Sequence, residues 1–428
     1  MPASNRIAVP PDLSDVTCYD PREECRPQDA GLAPGAVASI WSAVESLYRT
    51  GLHPGIVLAV RYRGQLILNR AIGHSSGNAP GEHGRTRTVL TPQSPICLFS
   101  ASKAITAMLA LRQVELGRLR LDVPVADYLP EYAAHGKGRA TLAELLSHRG
   151  GLPRLPVKEL DPALLYDWNA MLRLICAARP QLVHGRRQAY HAVTAGFVVG
   201  EIVQRVSGRR LPQLLREQFA EPLGCRYLSY GLAPDQREHY ARNAYTGPLP
   251  PFPLDRLARR ALGRDAQDFA ALANRDDFLS AVLPAVNICC TADECSRFFQ
   301  MLLDGGTWNG RRLLQPETIA SAVRPAGRVQ LDGTLMLPLR FSPGFMLGTR
   351  PFGLYGADCE QAFGHLGYMS VLCWADPKRQ VSAALLTTGK SVAPAGLAGL
   401  WRVPRTIERH CPPAAAARGR RTLAAEAA

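Results

Sequence analysis

The spacing of apolar residues changes along the chain, from strand-like patterns near both ends to helix-like patterns in the middle. Helical spacing occupies residues 37–48, 99–117, 141–148, 162–178, 192–206, 211–219 and 291–303. Short apolar runs occupy residues 54–68, 345–347, 370–374 and 381–387, and the first reverses around Arg63 and Gly64 as a β-hairpin does. The pattern predicts an α+β fold, in which both ends of the chain build one sheet and a helical region is inserted between them.

Changes in composition divide the chain into predicted parts. Residues 1–31 are rich in proline and charge, and we expect an irregular N-terminal extension there. Residues 32–118 and 285–411 are predicted to form an α/β sheet domain, and residues 119–284 a mainly helical domain. Within the latter, residues 247–260 contain four prolines and predict a long loop at a rim. Residues 412–428 are rich in Ala and Arg, and we expect them to be disordered.

One predicted helix carries two reactive side chains on the same face. Ser100 and Lys103 are three residues apart, so their side chains can meet on a helix. A serine hydroxyl becomes a good nucleophile only when a neighbouring base takes its proton, and a desolvated lysine can be tuned for that role. Only five of the 50 basic residues are lysines, so a lysine within this apolar helix is not an ordinary solvent-exposed surface residue. The pair indicates nucleophilic catalysis.

Two further stretches carry side chains that a serine–lysine enzyme can use. Tyr190 precedes a predicted helix, where its phenol can enter a cleft and relay protons. A nearby ammonium such as Lys103 would lower the phenol's pKa from its usual value of about 10. Farther along, Gly367 lets a strand edge approach a ligand, and His365 is expected to be a hydrogen-bond donor facing the cleft. The structural alternatives are a tyrosine that anchors a loop and a buried histidine with satisfied partners.

The charge of the chain raises the question of an anionic partner. The excess of 50 basic over 36 acidic residues gives a net charge of +14. Nucleic acid and an anionic membrane surface both suit such a charge. However, the arginines are scattered along the sequence, aromatic residues are not interleaved with them, and no nucleic-acid motif is present. We therefore interpret the charge as a solvated, arginine-rich surface and expect no nucleic-acid partner.

The cysteines and the apolar runs indicate the compartment. No apolar run reaches the length of a membrane span, and the first residues lack the apolar core of a signal peptide. The eleven cysteines are odd in number and show no Cys-x-x-Cys spacing, which argues against a zinc site and a disulfide framework. The sequence thus predicts a cytoplasmic protein without a membrane span, and it carries no signal for an oligomeric state.

Six segments, taken in order, resemble the serine β-lactamase/penicillin-binding-protein superfamily, specifically its class C-like, esterase-like branch of β-lactamase-related serine hydrolases. The resemblance covers residues 32–411 and rests on segments 54–60, 100–103, 145–153, 190–197, 363–367 and 374–377. The segment 100–103 has the Ser-x-x-Lys signature of related β-lactamases. The resemblance implies the β-lactamase/transpeptidase-like fold, with an antiparallel sheet flanked by helices.

The resemblance also implies a role for each site residue. Ser100 would be the acylated nucleophile, Lys103 its activating partner, and Tyr190 the general base and then the general acid. Residues 365–367, which include His365 and Gly367, would form a motif on the strand lining the cleft. The backbone N–H groups of Ser100 and Tyr368 would form the oxyanion hole.

The chain departs from the β-lactamase pattern at two positions. Ala192 stands where β-lactamases usually have the asparagine of Tyr-x-Asn, and His365 stands where they usually have the lysine of Lys-Thr-Gly. Both changes remove groups that favour a carboxylated β-lactam or a peptidoglycan stem. The sequence therefore predicts a serine hydrolase that cleaves small carboxylic esters through an acyl-enzyme on Ser100, without a metal or an organic cofactor.

Three alternatives stay open beside this prediction. An acyltransferase shares the acyl-enzyme and passes the acyl group to an alcohol or amine instead of water. A β-lactamase or D-Ala-D-Ala peptidase is disfavoured by Ala192 and His365. A catalytically silent binding or scaffold protein is disfavoured by the intact set of Ser100, Lys103 and Tyr190.

Overall fold

The computed structural model describes residues 5–82, 84–157, 159–252, 255–256, 259 and 263–413. The strands are β1 (Thr17–Cys18), β2 (Gly55–Tyr62), β3 (Gln65–Ser76), β4 (Thr88–Val89), β5 (Ile96–Cys97), β6 (Ser229–Tyr230), β7 (Ala244–Tyr245), β8 (Ile288–Cys290), β9 (Thr307–Trp308), β10 (Arg311–Arg312), β11 (Gln330–Leu331), β12 (Pro338–Leu339), β13 (Met346–Leu347), β14 (Phe363–Gly367), β15 (Val371–Asp376), β16 (Val381–Thr387) and β17 (Gly389–Lys390).

Helices make up much of the rest of the described chain. The α-helices are α1 (Ala36–Tyr48), α2 (Ser102–Glu115), α3 (Val125–Tyr128), α4 (Leu142–Leu146), α5 (Pro162–Tyr166), α6 (Trp168–Ala177), α7 (Thr194–Ser207), α8 (Leu211–Leu215), α9 (Ala266–Leu272), α10 (Asp276–Ser280), α11 (Ala292–Leu303), α12 (Pro316–Ala322) and α13 (Pro394–His410). Tighter 3-10 turns cover Ser14–Val16, Phe99–Ala101, Pro130–Gly136 and Pro234–His239, and a π-helical turn covers Arg216–Ala220.

An antiparallel sheet joins the two ends of the chain. Its strands follow the order β1–β3–β2–β16–β15–β14–β13, and β4 pairs with β3 beside this path. β2 pairs with β16, so that Ile56 lies opposite Thr387 and Tyr62 opposite Val381. The N-terminal strands therefore meet the C-terminal strands within one sheet, as the strand patterns at both ends predicted.

Helices cover both faces of this sheet. α1 and α13 pack together on one face, whereas α11 packs against β2, β15 and β16 on the other. Every residue of β2 and β16 is buried as a result, which explains why these strands are mainly apolar and do not alternate. Arg61, the charged residue of β2, is paired with Asp293 at 2.6 Å. The arrangement is an α+β fold.

Local signals in the helical region are confirmed. Thr141 and Glu144 form the predicted capping box at the start of α4. α7 ends at Gly208, whose φ of 68° is left-handed and suits glycine. α7 itself packs against α2, α4 and α6, so it links the helical region to the helix that begins beside Ser100. The division into a sheet domain and a helical domain stays a prediction.

Several elements differ from the predicted ones. The stretch 162–178 is two helices, because the Asp167 side chain caps α6 by accepting a hydrogen bond from the Ala170 amide at 2.9 Å. β1, within the predicted irregular extension, pairs with β3 at the sheet edge. α13 was not predicted, since Gly396, Gly399 and Pro404 interrupt its apolar pattern. The tail from residue 414 and part of the predicted loop 247–260 lie outside the described residues.

Candidate active site

A strained turn places Ser100 at the entrance to α2. The Leu98 amide donates a hydrogen bond to the Ile288 carbonyl at 2.8 Å, which holds the end of β5 against β8. Phe99 follows with a φ of 48°, a left-handed conformation that costs energy in a bulky residue. The buried ring of Phe99 compensates by packing against the ring of Tyr368, with 5.2 Å between centroids. Ser100 is therefore partly exposed at the front of the helix, within a 3-10 turn and not within α2 itself.

The Lys103 ammonium group is held against Ser100 by backbone carbonyls. Lys103 Nζ donates hydrogen bonds to Ser100 Oγ at 3.2 Å, to the Ala192 carbonyl at 2.8 Å and to the Ala285 carbonyl at 3.0 Å. Within the described part of the chain, these partners are all uncharged. Burial lowers the pKa of Lys103 well below its usual range. The amine thus gives up its proton more readily than a surface lysine does.

Ala192 supplies a contact that its side chain cannot make. In the Tyr-x-Asn pattern of β-lactamases an asparagine amide holds the lysine, and an alanine side chain cannot do so. The backbone carbonyl of Ala192 instead accepts the hydrogen bond from Lys103. Only the contact that an asparagine side chain would offer to a substrate amide is therefore lost.

Tyr190 lies beside the same pair of residues. Lys103 Nζ is 4.8 Å from the centroid of the Tyr190 ring. Burial raises the pKa of the phenol, as does the carboxylate of Asp332, whereas the Ser100 hydroxyl lowers it. The Ser100 hydroxyl is near enough to act on the phenol, but among the described residues no partner of Tyr190 Oη meets hydrogen-bond geometry. The predicted lowering of this pKa by Lys103 is therefore not found, because desolvation outweighs every neighbouring group.

Asp332 supports Tyr190 and was missed in the sequence. Its Oδ1 accepts hydrogen bonds from the Tyr190 amide at 3.1 Å and from the Thr334 and Leu335 amides at 2.9 Å. Asp332 lies in the hairpin formed by β11 and β12, and the next amide, of Gly333, donates to the Gln188 carbonyl at 3.0 Å. The Asp-Gly dipeptide between apolar residues was the available signal for this turn.

His365 is buried and presents an acceptor instead of the predicted donor. Its Nδ1 lies 2.8 Å from the Leu366 carbonyl, which can only accept, so Nδ1 carries the proton. Nε2 is then a bare acceptor, and it has no partner among the described residues. Burial lowers the pKa of the ring to about 3, so His365 is neutral. With Lys103 and His148, it lines a cavity of about 30 Å³, large enough for one water molecule.

Gly367 and Tyr368 connect the strand β14 to the serine turn. A β-carbon at residue 367 would lie 2.1 Å from the Leu98 carbonyl oxygen, so only glycine fits there. Gly367 thus allows the backbone before Ser100 to pack closely against β14. The sequence had predicted that a ligand would approach there instead. The Tyr368 hydroxyl donates to the Ala266 carbonyl at 2.6 Å, which directs its side chain away from Ser100 towards α9. Its amide follows directly after the last residue of β14.

No group of three or more His, Cys, Asp or Glu side chains in the part of the chain that the structure describes is placed to hold a metal ion. No helix within the described residues is long and apolar enough to cross a bilayer.

Comparisons with known proteins agree with this architecture. A family model described as Beta-lactamase matches residues 43–403. The esterase/beta-lactamase LipL of Mycobacterium tuberculosis (strain ATCC 25618 / H37Rv) is 29% identical over 304 residues, or 68% of each chain.

Two solved structures extend the comparison to the fold. A penicillin-binding protein homolog from Caulobacter crescentus gives a TM-score of 0.77 at 30% identity, covering 88% of this chain and 97% of that chain. A family VIII carboxylesterase gives a TM-score of 0.74 at 25% identity, covering 87% of this chain and 98% of that chain. With its β-lactamase/transpeptidase fold and a family match over most of its length, the chain belongs to the Beta-lactamase family.

Proposed function

We propose that the protein is a serine hydrolase that cleaves small carboxylic esters through an acyl-enzyme on Ser100. The observation that carries this proposal is the position of Lys103 Nζ, 3.2 Å from Ser100 Oγ in a buried setting. Burial lowers the pKa of this amine, so it is a base suited to activating a serine hydroxyl. Family membership supports hydrolase chemistry, and the match to a family VIII carboxylesterase supports ester substrates.

In the acylation step, neutral Lys103 accepts the proton of Ser100 while Ser100 Oγ attacks the ester carbonyl. The amides of Ser100 and Tyr368 would stabilise the oxyanion, because one lies in the turn before α2 and the other directly follows β14. This assigns Lys103 the first proton transfer, which the sequence resemblance had assigned to Tyr190. The reason is that burial lowers the pKa of the amine and raises that of the phenol.

In the departure of the alcohol, Tyr190 supplies the proton. Its phenol is protonated at neutral pH because burial raises its pKa, so it acts as an acid towards the leaving alkoxide. The proton that Lys103 took from Ser100 then passes to Tyr190, whose ring lies 4.8 Å from Nζ. Deacylation runs the same transfers in reverse, with water in place of the alcohol. The atoms and charges balance without a cofactor.

The test of this function is a panel of nitrophenyl esters of graded acyl length. We expect wild type to turn over esters and to form a covalent adduct with a fluorophosphonate on Ser100, detected by mass spectrometry. Ser100→Ala should abolish both. An active Ser100→Ala variant would contradict the assignment, and an unlabelled, inactive wild type would favour the silent binding protein.

Ser102→Ala is the matched control for this panel. Ser102 is fully buried, and its Oγ accepts a hydrogen bond from the Ile288 amide at 3.0 Å. It cannot reach a substrate, so its loss should cost some stability but preserve turnover. Product analysis with an added alcohol then separates hydrolysis from acyl transfer, since a transferase would yield the new ester in excess of the acid.

A further inference from the structure

The hairpin of β11 and β12 exposes a cluster of apolar side chains beside the candidate active site. Val329, Leu331, Met336 and Leu337 are 46%, 62%, 48% and 44% exposed, respectively. The next residues inward are anchored, since Asp332 is buried and Leu339 packs in the core on the α11 side of the sheet. Neighbouring exposed apolar residues on a hairpin whose backbone is held by buried residues are typical of an interaction surface. We call these four residues the hairpin surface.

Unpaired arginines flank the hairpin surface. Arg324 and Arg328 precede β11, and Arg186 and Arg187 lie next to Gln188, whose carbonyl accepts the Gly333 amide at 3.0 Å. Across the described residues, the side chains of these four exposed arginines make no ion pair or hydrogen bond. The segments 182–190 and 324–341 contain a single acidic residue, Asp332, and it is buried. Glu144, which pairs with His184 at 3.0 Å and lines a pocket together with Arg324, is one acidic side chain beside these four arginines, so positive charge is in excess at this face.

We propose that the hairpin surface docks onto an anionic lipid surface. Apolar side chains would enter the boundary between headgroups and acyl chains, and the arginines would pair with lipid phosphates. The combination of exposed apolar residues with an excess of arginines that make no ion pair among the described residues fits lipid phosphates, and the net charge of +14 adds a long-range attraction. Arginines that are scattered along the sequence are thus gathered by the fold on one apolar face.

The docked face adjoins the catalytic residues. The Asp332 carboxylate accepts the Tyr190 amide at 3.1 Å, and the ring of Phe341, just after β12, stacks on the Tyr190 ring with 6.2 Å between centroids. Docking would therefore bring the site to the lipid boundary, where apolar esters concentrate. Only this last consequence rests on the proposed function; lipid binding itself does not require turnover.

Vesicle co-sedimentation of the full chain tests the proposal. We expect wild type to bind vesicles of phosphatidylcholine mixed with phosphatidylglycerol, to bind vesicles of phosphatidylcholine alone much more weakly, and to be released by salt. Arg186→Ser with Arg187→Ser should weaken binding to the mixed vesicles about 25-fold, at about fivefold for each arginine. Leu331→Ser with Met336→Ser should also weaken it, and to a similar extent on both vesicle types.

A control variant that removes one apolar and one basic side chain is available on the other face of the sheet. Leu397→Ser with Arg402→Ser removes an exposed leucine and an exposed arginine from α13, which packs against α1 away from the hairpin. This variant should bind as wild type does. Near-UV circular dichroism checks that each variant is folded, because these side chains are all exposed and their loss should leave the spectrum unchanged.

Three results would overturn the proposal. One is failure of wild type to bind the mixed vesicles, and another is an equal loss of binding in the α13 control. The third is a dimer in analytical ultracentrifugation that Leu331→Ser with Met336→Ser dissociates, since the occupant would then be a second copy of the chain. A protein that binds vesicles but hydrolyses no ester would contradict the proposed function alone.

Discussion

At the scale of single residues, burial acts in opposite directions on the two proton carriers of the site. It lowers the pKa of Lys103, because the charged form of an amine loses hydration, and it raises the pKa of Tyr190, because the charged form of a phenol does. The outcome is a base beside Ser100 that gives up its proton more readily than a surface lysine, and an acid that stays protonated. Burial thus assigns complementary roles to the two groups, and the Asp332 carboxylate adds to the rise at Tyr190.

The first prediction concerns the pH dependence of turnover. We expect kcat/KM for a neutral ester to rise with pH as Lys103 loses its proton, at a pH below the usual lysine value of about 10.5. It should fall only where Tyr190 deprotonates, above about 10. A pH–rate profile measures both limbs. Lys103→Arg, which cannot deprotonate, should lose about 10²–10⁴-fold in rate. The rise of kcat/KM with pH, which we call the lower limb of the profile, should also disappear.

A second buried lysine provides the control for this profile. Lys390 has its pKa lowered by burial to about 7, and its Nζ lies 4.7 Å from the centroid of the Phe99 ring. Lys390→Met should keep the lower limb that we assign to Lys103. Loss of that limb in Lys390→Met, with retention in Lys103→Arg, would reverse the assignment.

The second prediction separates catalysis from stability at Tyr190. Tyr190→Phe should lower kcat by about 10²–10⁴-fold, because the acid for the leaving group is removed. Its free energy of unfolding should be unchanged or higher, since Oη makes no hydrogen bond within the described structure and is buried. Urea titration measures the stability and ester turnover measures the rate.

Tyr230→Phe is the opposite case and serves as the control. Tyr230 Oη lies 2.8 Å from Thr106 Oγ1 in a buried pair, so its loss should cost about 0.5–1.5 kcal/mol. Turnover should stay near that of wild type. Equal rate losses in both tyrosine variants would mean that Tyr190 acts through packing.

At the scale of elements, the hairpin of β11 and β12 fixes the backbone that carries Tyr190. The Asp332 carboxylate ties Tyr190 to the turn, and Gln188 Nε2 donates to the Leu339 carbonyl at 3.1 Å. The hairpin thus holds residues 188–190 from two sides. Its geometry should therefore affect the rate of the chemical step more than the affinity for substrate.

The third prediction tests this positioning role. Asp332→Ala removes the acceptor of three amides and should lower kcat by up to about 10²-fold with little change in KM. Asp332→Asn keeps an acceptor but removes the charge that raises the pKa of Tyr190, so the alkaline limb should move to lower pH. Steady-state kinetics across pH measures both effects. Asp304→Asn, at the end of α11, should change neither quantity, and an unshifted limb in Asp332→Asn would contradict the electrostatic part.

Elements with local signals could be predicted from the sequence, whereas contacts between distant segments could not. The β2–β3 hairpin, the capping box of α4 and the Gly208 cap of α7 each depend on residues within a few positions of one another. Asp332 meets Tyr190 across 142 positions, and the left-handed Phe99 depends on partners from other elements. The resemblance supplied the fold and the candidate site residues, but the direction of the pKa shift at Tyr190 depends on burial, which no short motif encodes.

At the scale of the whole molecule, buried histidines link stability to pH. Burial lowers the pKa of His53 to about 3, of His191 to about 4 and of His365 to about 3. In the unfolded chain these rings titrate near about 6.5. Between these values the unfolded state binds more protons than the folded state, so stability is complete above the higher value and falls as pH decreases.

The fourth prediction follows from this difference. Below about pH 6, each of the three rings should reduce the free energy of unfolding by ~1.4 kcal/mol per pH unit, or ~4 kcal/mol together. Urea titrations at a series of pH values measure the slope. His53→Gln, which lies outside the candidate site, should reduce it by ~1.4 kcal/mol per pH unit. A free energy that stays constant over this acid range would show that the rings are not buried as described.

The fifth prediction concerns the substrate class as a property of the whole cleft. A penicillin must bury an amide and a carboxylate, and Ala192 and neutral His365 offer neither an amide partner nor a cation. Two unpaired groups at about 1.4 kcal/mol each correspond to about a hundredfold in kcat/KM. We therefore expect nitrophenyl butyrate to exceed nitrocefin by at least about this factor. Comparable efficiencies on one enzyme preparation would indicate that an arginine has taken over the carboxylate.

The pairing of β2 with β16 has a consequence for biosynthesis. Ile56 and Thr387 are neighbours in the sheet but are separated by most of the chain. During translation, β2 therefore emerges from the ribosome long before β16. The apolar strand keeps one edge unpaired until β16 has been synthesised. Such a high contact order favours slow folding after release of the chain, and it makes the nascent N-terminal half a substrate for chaperones. Catalytic competence would then appear only once the last strands of the sheet have been synthesised.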